Sequence, residues 1–132
     1  MSDARSTKHL EMLQAAITRM AGHSFLAKGW SVTVAVAVLG FAAKDKSPQL
    51  LGVGVLAVAL FWLIDAYYLA LETGFRSLFE AAVKAFQEQK DETFAMAPPI
   101  SLGVILRALL RPAAAVVHAS LLAGLALAGE LL

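Results

Sequence analysis

Apolar residues follow two different rhythms along this chain. Over residues 6–24 they recur at helical spacing, with Leu10, Leu13, Ile17 and Met20 on one face and Lys8, Glu11 and Arg19 among them. That predicts an amphipathic helix over 6–24, capped by Ser6 or Thr7. The rhythm then gives way to unbroken apolar runs. The first covers residues 29–43 and reaches back through 25–27 across a single Lys28. The second covers 50–64, is interrupted by Asp65, and resumes over 66–71 as far as Glu72. The third, 112–129, has no formal charge. A bilayer requires about 20 apolar residues per helix, so three transmembrane helices are predicted, at 25–43, 49–71 and 112–130. The polar stretch 44–48 makes the first two an antiparallel hairpin.

Residues 73–90 again show helical spacing, with Phe75, Leu78, Phe79, Ala82 and Phe86 on one side. No glycine or proline follows Gly74 there, so this helix can extend the second span, and 49–90 would then form one rod about 63 Å long. Residues 91–111 read as a linker marked by Pro98 and Pro99, followed by an apolar stretch over 100–110 that carries Arg107. That stretch is expected either to lie along the membrane interface or to open a long third helix bent near Pro112. The expected fold class is an all-α integral membrane protein. It comprises three transmembrane helices plus cytoplasmic amphipathic helices, in a single membrane domain over 1–132.

Composition strengthens this picture. Of 132 residues, 59% are hydrophobic and only 16% charged, against about half and about a quarter in a soluble domain. The length fits one small domain and leaves no room for a catalytic domain beside a membrane anchor. Without cysteine there is no disulfide, thiol nucleophile or thiolate metal site. The charged N-terminal stretch lacks the apolar core of a secretory signal. Basic residues are unevenly placed. Nine (Arg5, Lys8, Arg19, Lys28, Arg76, Lys84, Lys90, Arg107, Arg111) flank the spans on one side, and two (Lys44, Lys46) sit in the hairpin turn. The positive-inside rule then predicts a cytoplasmic N-terminus and 72–111 segment, with the C-terminus outside. Trp30, Trp62, Tyr67 and Tyr68 fall near the cytoplasmic ends of the first two spans, where aromatic belts sit.

Three polar residues interrupt the spans at one depth. Counting from the turn brings Lys28 and Asp65 to nearly the same level. His118, six residues inside Pro112, joins them about 9 Å or less from the cytoplasmic boundary. A carboxylate there must face protein or water rather than lipid. Lys28, Asp65 and His118 are therefore gate or passage candidates. The plainer reading is a structural ion pair with His118 as a helix contact, Lys28 snorkelling to the interface. One histidine and one aspartate are too few for a metal site, and none is expected. In the third span Ala115, Ala119 and Ala123 repeat every four residues, as do Ser120, Gly124 and Ala128. Such small-xxx-small patterns let helices approach closely, which predicts a homo-oligomer, with four copies as a working number. Packing within one protomer is the competing use. Arg5, Lys8, Arg19, Arg76, Lys84 and Lys90 form a candidate surface for anionic ligands, diluted by Glu80, Glu88, Asp91 and Glu92. Motifs for phosphate loops, serine hydrolases and zinc hydrolases are absent, so neither an enzyme nor a cofactor is expected.

Two stretches carry a family resemblance: KHLEMLQAAITRMAGHSFLAKGW over 8–30, and FWLIDAYYLALE over 61–72. Together they resemble small bacterial multi-span membrane effectors encoded in antiphage defence loci beside a nucleotidyltransferase, as in the Hailong type. The resemblance covers roughly residues 8–80 and assigns no role to any single residue. It implies an oligomeric, gated ion channel or pore that depolarises the bacterial inner membrane. The controlling signal would be a DNA oligomer or nucleotide product of the partner enzyme, acting at the cytoplasmic helices. A non-conducting membrane scaffold or adaptor is the main alternative. A small transporter subunit or membrane enzyme fits less well, because the chain is short and lacks paired half-repeats.

Overall fold

The computed structural model describes residues 2–88 and 94–132, and all regular structure among them is helical. Helix α1 (Ser2–Asp45) runs unbroken through the segment expected as an amphipathic helix and on through the first span. At 1.5 Å per residue it is about 66 Å long. Helix α2 (Pro48–Gln87) likewise joins the second span to the following amphipathic segment. Residues 89 and 90, the end of that expected helix, lie outside the described residues.

Local chemistry explains the turn between the two rods. The Ser47 amide donates to the Ala42 carbonyl at 3.1 Å, and Lys46 sits in the left-handed region at φ 49°. This is a Schellman ending, with lysine where glycine is usual. Pro48 then occupies the first turn of α2, where its missing N–H costs nothing.

Helix α3 (Leu102–Leu109) begins at Ser101, whose hydroxyl accepts from the Val104 amide at 3.3 Å. Helix α4 (Pro112–Leu131) follows directly. Arg111 is held extended by the proline after it, so α3 ends there and the two helices are distinct. Residues 102–109 thus form a short helix of their own, separate from α4.

Three apolar clusters join the helices. Near the turn, Ala35, Ala42, Leu51, Val58 and Leu125 pack α1, α2 and α4 together. A Cβ added to Gly54 would meet Val38 Cγ1 at 2.8 Å and Leu125 Cδ2 at 3.3 Å, so the absence of a side chain lets α1 and α4 close on α2. Midway, Ala66, Leu69, Ala70, Ala108 and Ala114 seat α3 and the start of α4 on α2. At the end away from the turn, Leu13, Ala16, Ile17, Phe75 and Ala82 unite the two amphipathic halves. The strap over residues 94–101 crosses this end against Gly74, whose absent Cβ would lie 2.6 Å from Pro98 Cβ.

Among the described residues three helices are long and apolar enough to cross a membrane. Only 22%, 28% and 17% of their most apolar windows are buried by the chain itself. Phe25, Trp30, Val36, Leu56 and Leu127 all point outward. Uncovered apolar area of this extent fits a lipid environment and not water.

Candidate functional site: a buried polar cluster joining the spans

The three polar residues singled out from the sequence meet. Ser24, Lys28 and Ser31 lie on one face of α1, at spacings of four and three residues. Asp65 faces them from α2 and His118 from α4. Asp65, His118 and Ser31 are fully buried. The Lys28 ammonium lies 2.8 Å from Asp65 Oδ2 and 2.9 Å from Oδ1, and donates to Ser24 Oγ at 2.8 Å. The Ser24 hydroxyl donates to Oδ1. His118 Nε2 stands 3.0 Å from Oδ2, and Nδ1 stands 3.1 Å from Ser31 Oγ.

An ionised Asp65 requires Nε2–H as the donor, so a neutral His118 ring accepts the Ser31 proton at Nδ1. Lysine and carboxylate cancel, and the cluster is neutral with both carboxylate oxygens and both ring nitrogens partnered. This is the condition under which ionisable groups tolerate burial. Trp62, one turn before Asp65, stacks on His118 with ring centroids 6.0 Å apart. Its indole N–H donates to the Leu109 carbonyl at 3.0 Å, which ties α3 to the same cluster. One carboxylate thus links α1, α2 and α4, and Trp62 adds α3.

Ser24, Ser31 and Trp62 complete the cluster: sequence reasoning passed over the two serines and read Trp62 only as a belt aromatic. The available signal was position: each serine lies one turn from Lys28 on its helix face.

The small residues of α4 divide. Ala114, His118 and Leu125 turn inward, and Ala128 packs against the core near the turn. Ala119, Ser120 and Ala123 are exposed, and Ala115 and Gly124 are half-buried. Nothing lies within 4 Å of where a Gly124 Cβ would sit, so no close packing inside the protomer requires a glycine there.

The basic residues are also dispersed. Arg5 and Lys8 line a hollow of about 300 Å³ beside His9 and Phe94. Arg19 and Lys84 are exposed, and Arg76 pairs with Glu72 one turn earlier at 2.8 Å. Lys90 lies outside the described residues. Arg76 does find two other arginines, Arg107 and Arg111, across a groove between α2 and α3. Among the described residues no three metal-ligating side chains come together.

These features define a helical protein with, among the described residues, three membrane-length apolar helices and an ion-paired polar cluster at their meeting point. No protein-family model matches the chain, and no curated protein or solved structure matches it.

Proposed function

We propose that this chain is the subunit of a homo-oligomeric membrane assembly with a gated ion path, and that the Lys28–Asp65–His118 cluster is the latch of its closed arrangement. The observation that carries the reading is the fully buried Asp65, whose partners come from both other long helices. Intramembrane carboxylates are costly and mark functional elements by default. Removing one partner from a buried pair costs about 3–5 kcal/mol, enough to keep such a latch shut until a signal acts.

Three helices enclose no conduit, so the path lies between protomers. The outward face around Ala119, Ala123 and Gly124 supports close approach of a second α4. Helices α1 and α2 run unbroken from the amphipathic end into the apolar region, so displacement at that end is carried to the cluster by stiff rods. The resemblance of residues 8–80 to defence-locus effectors supplies the setting. The amphipathic end is cytoplasmic, the bilayer is the bacterial inner membrane, and the signal is a DNA oligomer or nucleotide made by a nucleotidyltransferase partner. Opening then depolarises the infected cell. No enzymatic step is assigned to the chain.

A second reading has its own observation. The cluster satisfies its own polar atoms within one protomer, which also suits a scaffold whose ion pair only fixes helix register. A membrane-potential dye separates the two in cells producing the protein with and without the product of the adjacent gene, under this proposal a nucleotidyltransferase. A channel depolarises the cells, Gly124→Leu abolishes this at unchanged membrane level, and Asp65→Asn alters the threshold. Steady potential in both settings, with the protein in the membrane, moves the assignment to a scaffold.

A further inference from the structure

Helices α2 and α3 each lend one face to a groove of about 510 Å³. From α2 come Thr73, Arg76, Ser77 and Glu80, and from α3 and its end come Val104, Arg107 and Arg111. The α2 set and the Val104–Arg107 pair follow helical spacing, and Arg111 joins them from the extended corner between α3 and α4. Ala70 and the buried Ala108 form the floor, and their small side chains leave the space open.

The charges are only partly spent. Glu72 neutralises Arg76. Arg111 donates to Thr73 Oγ1 at 2.8 Å, a contact that orients the guanidinium without neutralising it. The Arg107 side chain has no hydrogen-bond or ion-pair partner among the described residues. With Glu80 as the acid on the groove wall, an excess of positive charge remains beside two hydroxyls. Planar guanidiniums with neighbouring hydroxyls match the oxygens of a phosphate.

Location selects the phosphate. The groove opens where the apolar run of α2 gives way to Glu72 and Thr73, and where α4 begins at Pro112. Along α3 and its C-cap runs an outward ridge of Leu102, Leu106 and Leu110, which are 72%, 51% and 78% exposed. A soluble anion leaves that ridge in water. A phospholipid covers it with acyl chain while its phosphate enters the groove. Basic pockets at helix–membrane junctions recognise anionic headgroups in this way.

We infer that this groove binds the phosphate of an anionic phospholipid at the membrane–water boundary. The inference is independent of ion conduction, because a scaffold holds lipid equally well. Native mass spectrometry of the full chain in detergent tests it, with phosphatidylglycerol and phosphatidylcholine supplied at equal concentration. Phosphatidylglycerol is retained preferentially. Arg107→Gln weakens that retention about fivefold, the worth of one arginine at an anionic surface, and Arg107→Gln with Arg111→Gln weakens it further. The Arg107 side chain is exposed and unpaired among the described residues, so its loss leaves the fold intact, and Lys84→Gln on the α2 rod but outside the groove leaves retention unchanged. Excess inorganic phosphate fails to displace the lipid. Equal retention of the two lipids, or an unaffected Arg107→Gln, overturns the site. Inorganic phosphate binding as tightly as phosphatidylglycerol overturns the lipid as its occupant.

Discussion

Replacing Asp65 by asparagine changes almost nothing in shape and nearly everything in hydrogen bonding. Oδ1 accepts from Ser24 and Lys28, and Oδ2 from Lys28 and His118. An amide has one oxygen and one NH2, so whichever way it turns, its donors face a donor. The Lys28 charge is also left without a counter-ion. Loss of one member of a buried pair costs about 3–5 kcal/mol, and the Lys28 side chain, 19% exposed, regains some hydration, so Asp65→Asn is expected near 3 kcal/mol. Lys28→Met strands a carboxylate with no exposure at all and belongs at the upper end, near 5 kcal/mol. The double variant carries neither charge. Its cost falls short of the sum by about 2–3 kcal/mol, the coupling expected of groups in contact. Reversible unfolding of the purified protein in mixed micelles, followed by far-ultraviolet circular dichroism, measures all three. An Asp65→Asn cost below about 0.5 kcal/mol, with an additive double variant, would refute a charged latch at this position.

Two backbone positions give further tests. Gly74→Ala places a Cβ 2.6 Å from the rigid ring of Pro98 and 3.2 Å from the Pro99 carbonyl, so the strap must lift. Overpacking of about 1–3 kcal/mol outweighs the roughly 1 kcal/mol gained from helix propensity, and faster proteolytic cleavage within 94–101 reports the lifting. Unchanged cleavage would mean that the strap does not rest on α2. Lys46→Gly acts the other way: it removes a Cβ from a left-handed position and should raise unfolding free energy by up to about 1 kcal/mol. A loss of stability there would show that the turn is held by the lysine side chain and not by its backbone.

Much of the fold was legible because its signals are local. Run length and scarcity of charge located the three long apolar helices, and the 3.6-residue rhythm located the two amphipathic halves. The continuity of α1 was not legible. The pattern changes character near residue 24, yet no proline interrupts the chain, and Gly22, Gly29 and Gly40 face open space where nothing compels a break. The choice between two forms of 100–111 depended on the backbone of Arg111 ahead of Pro112, which sequence left open. Counting residues from the turn put Lys28, Asp65 and His118 at one depth because helical rise is constant. It could not supply rotation about the helix axis, which decides contact. Ser24 and Ser31 stayed hidden because a hydroxyl in an apolar helix commonly bonds its own backbone, as Thr33 does with the Gly29 carbonyl at 2.9 Å. The groove was invisible for a tertiary reason: Arg107 and Arg111 meet Arg76 only once α3 is seated on α2.

The cluster and the groove share a structural element. Trp62 covers His118 and holds the Leu109 carbonyl, so the end of α3 is bonded to the residue that roofs the cluster. Two residues further, Arg111 bonds Thr73 on α2. Any ligand that draws Arg107 and Arg111 towards α2 therefore presses α3 onto α2 and keeps Trp62 over His118. Any movement that parts Asp65 from His118 pulls on the same α3–α4 corner, because Pro112 joins the two helices with little slack. Linkage makes the relation reciprocal: a ligand that favours the closed cluster by some factor is itself bound more weakly, by that same factor, when the cluster opens. A phosphate in the groove would thus stabilise the closed cluster without touching it, and under the proposed gating lipid composition would set the threshold.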